Sequence, residues 1–236
     1  MTRKTADAVL GRRRTRMSPE ARRQQFIELG LARLEHVALE QVSIEEIAAE
    51  AGVSAGLLFH YFDSKLDFQV ALMEEQARIV GDIATPSRAP GDLSEVMPIL
   101  TETLAAYVDH IVEHRQSLLP ILAGVSWSDP RIRDAVKDVR EQIVAHFLQY
   151  AENIGLTRSR EFVLAIHGWI AVVEETMVHW LDEESEFASM TRDEIVAHLA
   201  TVFIAIASAV GLDLASGAGD RIIDMGPIVD DEPATT

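Results

Sequence analysis

Cysteine is absent from the 236 residues, which excludes a disulfide framework, a thiolate zinc site and a cysteine nucleophile and fits a reducing compartment. Runs of alternating Val, Ile and Thr bounded by turns are missing as well, so helical periodicity is left as the organising signal and an all-α fold is expected. The opening stretch MTRKTADAVLGRRRTRM has basic residues but neither the apolar core of about 7 to 15 residues nor the small-residue cleavage site that export needs. A cytoplasmic location is therefore expected. The long apolar run, Ile195 to Val210, is interrupted by His198, Thr201 and Ser208, which makes it short and polar for a membrane span. It reads as a buried helix, and no membrane partner is expected. What the chain does have is 48% hydrophobic residues, ample for a folded core.

Positive charge is scarce overall, with 21 Lys and Arg against 38 Asp and Glu and a formal net charge of -17. The deficit is uneven. Residues 1 to 70 hold ten basic and ten acidic residues, and the first 23 hold eight basic and two acidic. A basic leading end on an acidic body would orient the molecule toward phosphate. The plain alternative is a basic tail without a role.

Capping signals divide the chain. Ser18 before Pro19 sets a capping oxygen ahead of a proline at the first helical position, and Phe26, Leu29, Gly30, Leu34 and Val37 continue at helical spacing, predicting a helix over about 19 to 37. Ser43 with Glu46 three residues on reads as a capping box and starts a second helix at Ile44. Ser54 starts a short third helix to about Tyr61, and Asp63 or Ser64 a fourth to about Asp82. Thr85 to Gly91, with Pro86, Pro90 and Gly91, is a loop. Further helices are expected near 93 to 114, 116 to 124, 130 to 153, 159 to 182 and 192 to 211. The last opens on a Thr191–Glu194 capping box. After Gly211 the period is lost. The resulting division is a basic flexible arm (1–17), a helix-turn-helix unit (18–63), a larger helical domain (64–211) and an acidic flexible tail (212–236), with about nine helices.

Within the second and third helices, Ile47, Ala48, Ala51, Val53, Leu58 and Tyr61 fall where two steeply crossing helices need apolar or small residues, and Gly52 falls in the turn. Ala55, Gly56, Phe59 and His60 are left on the outer face of the third helix. The stretch IEEIAAEAGVSAGLLFHYFDSKLDF, with AGVSxGxLxxYFxSK in register behind a capped helix, resembles the DNA-binding signature of the TetR family of transcriptional regulators over roughly residues 20 to 75.

The resemblance implies roles. Ser54, Ala55 and Gly56 would face base edges, where Ala55 can touch a thymine methyl and Gly56 permits close approach. His60 and Tyr61 would reach phosphate, with Lys65 adding charge and the amino termini of the second and fourth helices adding amides, the former beside Ser43. Arg12, Arg13, Arg14 and Arg16 would lie along the backbone or in the minor groove. Phe59 stands where the family commonly has tyrosine, so one hydroxyl contact is missing, and Ala38 stands where a glycine usually ends the first helix. The recognition helix carries no Arg, Asn or Gln, so base preference is not readable from it.

The family's variable helical domain holds an inducing ligand and dimerises. The helix near 159–182 is apolar over most of its circumference, so one face should meet the core and another a partner. Phe162, Ile166, Ile170, Trp180, Leu199, Phe203 and Ile206 are the candidates for a homodimer interface. Leu104, Tyr107, Ile111, Leu122, Trp127, Phe147, Trp169, Val173 and Met177 are the candidates for a pocket that takes an apolar effector, acyl or lipid-like at its long end. Each of these is also ordinary core material. No cofactor is implied.

Two patterns compete. His110-Ile111-Val112-Glu113-His114 satisfies the H-x-x-E-H spacing of inverted zinc proteases, and Glu175 and His179 form another pair one turn apart. The plain reading places His110 and Glu113 in solvent and His114 at a helix carboxyl end. The function expected is a repressor released from a palindromic operator by a small apolar effector. An activator or a metal-responsive regulator of the same fold, or a helical metal-dependent hydrolase, stand as alternatives.

Overall fold

The computed structural model describes residues 17–124, 129–212 and 214. Nine α-helices occur among them, with no strand: α1 (Pro19–Leu34), α2 (Ile44–Glu50), α3 (Ala55–Leu58), α4 (Lys65–Ala84), α5 (Leu93–Glu113), α6 (Arg115–Leu122), α7 (Pro130–Asn153), α8 (Arg160–Leu181) and α9 (Arg192–Ala209). The basic arm with Arg12, Arg13, Arg14 and Arg16, the indole Trp127, and nearly all of the tail lie outside the described residues.

Short polar side chains start the helices by taking amides that have no partner within the helix. Ser18 accepts from Ala21, Ser64 from Asp67, Asp129 from Arg131 and Ser159 from Phe162. The capping box at Thr191 is complete, with Glu194 accepting from the Thr191 amide at 2.7 Å. The box expected at Ser43 is only half formed. Ser43 accepts from the Glu46 amide at 3.3 Å, but the Glu46 carboxylate turns away to Arg33 at 2.6 Å and pins α2 to α1 instead. Ser54 occupies the capping position of α3 without a capping hydrogen bond.

The first helix is shorter than its apolar period suggests, ending at Leu34 rather than near 37. Contacts from α4 explain this. A 3-10 turn, Leu39–Gln41, follows α1, and its carbonyls are taken from outside: Lys65 Nζ donates to Glu40 O and Gln69 Nε2 to Leu39 O, both at 2.7 Å. Ala38 is extended, at φ -65° and ψ 155°, so the turn needs no glycine at that position. A second 3-10 turn, Glu186–Ser189, joins α8 to α9, and Trp180 Nε1 seats it by donating to Met190 O at 2.9 Å.

Helix α4 is the central element, packed on α1, α5 and α7. It crosses α1 at Gly30, where an added Cβ would stand 2.5 Å from Leu72 and 2.8 Å from Phe68, two side chains that are fully buried. Only glycine allows that approach. One hydrophobic cluster continues from Phe26 and Ile47 through Phe68 and Leu72 to Tyr107, Trp169 and Phe203. The helix-turn-helix and the larger helical domain thus share a core through α4. By length and composition α8 could cross a membrane, yet Ile166, Trp169, Val173, Met177 and Trp180 on it are buried against neighbouring helices.

Candidate functional site

The helix-turn-helix is built as its spacing predicts. Ile47, Ala48 and Leu58 are buried at the crossing, and Gly52 makes the turn at φ +70°, a conformation that side chains rarely adopt. The third helix, α3, ends at Leu58 rather than near Tyr61, so Phe59 caps it and His60 lies in the turn beyond; Ser54, Gly56, Phe59 and His60 are exposed, Phe59 by 45%. A Cβ at Gly56 would meet only Ser54 Oγ, at 3.9 Å, so that face is open for close approach.

Three candidates differ from the sequence reading. Ala55 is half-buried and packs partly against the core, which leaves less of its methyl for a base. Ser43 is engaged in capping and also donates to Glu45 Oε2 at 3.1 Å. Lys65 is exposed but already holds the Glu40 carbonyl; an ammonium has three donors, so charge remains for phosphate. The Tyr61 ring is half-buried, edge-on to Phe26 and His60 with both centroids at 5.6 Å, which fixes where its hydroxyl can point.

Behind this unit lies an apolar cavity of about 90 Å³, partly open to solvent, walled by α4, α5, α6, α7 and α8. Six of the predicted pocket residues line it: Leu104, Tyr107, Leu122, Phe147, Trp169 and Val173. Ile111 and Met177 do not; both have no exposed surface and are core. Sequence reading missed the whole α4 wall, Gln76, Ala77, Val80 and Ala84, and the polar members Thr103, Arg140 and Glu174. Arg140 and Glu174 bridge α7 to α8 in a two-pronged ion pair at 2.9 and 2.7 Å. The Tyr107 hydroxyl is pushed up in pKa by burial and then by the Glu174 charge, so it stays protonated and a donor.

Gln76 and Ser117 are the two buried polar residues among those described. They are bonded to each other, Gln76 Nε2 donating to Ser117 Oγ at 2.9 Å. Ser117 Oγ lies 3.2 Å from Glu35 Oε1, and the same carboxylate oxygen meets His114 Nδ1 at 3.0 Å. The cavity wall is thereby joined to the residue that caps α1. Residues 41 and 82 positions apart meet here, beyond the reach of any local pattern.

The rival motif resolves differently from its plain reading. Glu113 is in solvent with its side chain 76% exposed, but His110 is half-buried with its ring tilted 54° against that of His114, centroids 4.4 Å apart. Burial, and then His114, push the His110 pKa down. Glu175 and His179 form an exposed pair at 3.1 Å. Among the described residues no group of three His, Asp or Glu side chains is placed to hold a metal ion.

The interface candidates need the largest correction. Leu199 has no exposed surface, and Ile166, Phe203 and Trp180 are buried within the chain itself, so they form core and cannot face a partner. Phe162 and Ile170 are half-buried and line cavities, and Ile206 packs against the core. Outward residues on α8 run Leu164, Gly168, Ala171, with Leu164 72% exposed; α9 presents Ala197, Thr201, Ala205 and Ser208. An all-apolar helix hides which apolar face is inner, because hydrophobicity alone carries no direction there.

Residues 26–72 match the model of the bacterial regulatory proteins of the tetR family, and residues 96–206 match that of the tetracyclin repressor-like C-terminal domain. The HTH-type transcriptional regulator BetI of Yersinia pestis (strain Pestoides F) is 41% identical over 61 residues, which is 26% of this chain and 31% of that protein. The match thus spans under a third of the relative's length. A tetR-family transcriptional regulator from Streptomyces coelicolor superposes with a TM-score of 0.69 at 26% identity, covering 82% of this chain and 83% of that one. The fatty acid degradation regulator FadR from Bacillus halodurans superposes with a TM-score of 0.58 at 17% identity over 80% and 97% of the two chains, a likeness of fold alone.

Proposed function

The chain belongs to the TetR family of DNA-binding transcriptional regulators, and on that premise we propose that it is a homodimeric repressor released from a palindromic operator by a small apolar effector. The observation that carries the reading is the span of α4. Its first half packs under the helix-turn-helix at Gly30, and its second half forms a wall of the cavity through Gln76, Ala77, Val80 and Ala84.

A ligand that fills the cavity pushes on α4, and α4 cannot move without carrying the recognition helix, since packed cores shift as units rather than deform smoothly. The Gln76–Ser117–Glu35 chain and the Arg131–Asp67 ion pair, at 2.6 Å between the starts of α7 and α4, add directional ties. Release requires tighter ligand binding to the DNA-incompetent dimer, by about 1.4 kcal/mol for each tenfold shift in operator affinity.

In the dimer, the outward small residues of α8 and α9 pack against their copies, and the two α3 helices enter successive major grooves about 34 to 36 Å apart. Phosphate contacts from His60, Tyr61, Lys65 and the arginines of the leading arm supply affinity, and Ser54, Ala55 and Gly56 meet base edges. Titration of the DNA upstream of its own gene tests this directly. Affinity is expected to fall steeply with salt, by about three powers of ten or more between 50 and 200 mM for a protein making about six phosphate contacts. A flat salt response, or equal affinity for unrelated DNA, is the contrary result.

A further inference from the structure

A second apolar cavity, of about 60 Å³ and also partly open, lies beside the first, between the loop at Pro86 and Pro90 and the helices α5, α7, α8 and α9. Leu100 and Phe147 line both, so these two side chains are the wall between the chambers. Aromatic rings gather there: Phe147 and Trp169 flank Phe203 at centroid distances of 6.4 and 5.3 Å. Phe147 is only half-buried although it sits between helices, because both of its faces border empty space.

The chambers differ in polarity. The first holds Gln76, Thr103, Tyr107 and the Arg140–Glu174 pair. In the second the polar group is Tyr150, whose hydroxyl is spent on Pro86 O at 3.1 Å. Tyr107 is 6% exposed and lines the first chamber, where burial keeps its hydroxyl protonated and a donor. A hydroxyl on an otherwise apolar wall gives an entering molecule one place to place an acceptor. Arg140 is neutralised by Glu174, so an anionic head would have to displace a carboxylate and then lie beside it.

Resting on the ligand-responsive reading above, we infer that the effector is an elongated, uncharged molecule with a hydrogen-bond acceptor at one end. Its acceptor takes the Tyr107 proton in the first chamber, and its hydrocarbon chain passes Phe147 into the second. Phe147 is the residue that sets the accepted chain length. A chain this disposed removes apolar surface from water along its whole length, so each methylene adds to affinity until the second chamber is full.

The test is a calorimetric titration of the full-length dimer with straight-chain methyl ketones of increasing length, and with alkanoic acids of equal length as the charged arm. Affinity for the ketones is expected to rise about fourfold per methylene and to exceed that for the acids at every length. In Phe147→Trp the rise should stop at a shorter chain, with an unchanged far-ultraviolet helical signal and a cooperative thermal transition showing that the variant folds. Leu100→Phe, on the other side of the wall, should act the same way. Tyr107→Phe should weaken all lengths by about fivefold. The inference is overturned if the rise ends at the same length in the wild type and in both wall variants, or if acids bind as tightly as ketones. Operator titration separates the two readings: ketones that bind with the expected length dependence but leave DNA affinity unchanged overturn the proposed function and not the chamber assignment.

Discussion

Two glycines show how differently the same residue type is used. At Gly52 an added Cβ meets nothing within 4 Å, but the backbone sits at φ +70°. Gly52→Ala is therefore expected to cost about 1 to 2 kcal/mol through backbone strain alone, read from the denaturant midpoint, with DNA affinity of the folded fraction unchanged. At Gly30 the backbone is ordinary helix and the obstacle is Leu72 and Phe68. Gly30→Ala should cost about 1 to 3 kcal/mol through overpacking and should also alter operator affinity, because it pushes α4 off α1. Equal effects on DNA binding from the two variants would contradict that assignment. The turn glycine was legible in the sequence from the apolar pattern around it. The packing role of Gly30 was not, since its partners lie 38 and 42 positions away.

At the scale of elements, the junction of α1, α5 and α6 sets the half-buried His110 beside a polar chain. Burial and then the neighbouring His114 lower the His110 pKa, while Glu113 and Glu35 raise it. Its pKa is lowered in the fold, so the neutral form is favoured; the associated stability is present above the ordinary value near 6.5 and is lost as pH falls through the lowered one. Asp67, held down first by Arg131 and then by Ser64, follows the same sign at lower pH. The thermal midpoint should thus drop from pH 7.5 to 5.5, and the drop should shrink in His110→Gln. An equal drop in the variant would show that His110 does not carry it. Ser117→Ala should cost about 1 kcal/mol, and amide exchange should speed up at the end of α1, where Glu35 loses a partner. Helix starts were readable here from caps and periods: α1, α2, α3 and α9 begin right after the residues their signals named, and α4 begins after Ser64, one of its two candidates. The cap at Ser43 shows the limit: Glu46 had a choice between a local amide and Arg33 thirteen residues back, and the ion pair prevailed.

For the whole molecule, the decisive surface is the one the sequence pattern misplaced. If α8 and α9 pair with their copies through the stripe that includes Leu164, then Leu164→Arg places like charges against each other at the two-fold axis. Light scattering should show twice the chain mass for the wild type and the chain mass for the variant, with operator affinity lost in parallel because two half-sites can no longer be held together. A dimer that survives this substitution would move the interface elsewhere.

The amino-acid sequence by itself determined the helical class, most helix starts, the loop at Pro86 and Pro90, and the helix-turn-helix, because each depends on residues within a few positions of one another. Tertiary structure decided the rest. It chose which face of α8 is inner, it turned Ile111 and Met177 into core and Gln76 into a cavity wall, and it set Leu100 and Phe147 between two chambers. Those outcomes rest on contacts between helices far apart in the chain, where many residues are equally apolar and only close packing in three dimensions distinguishes a wall from a core.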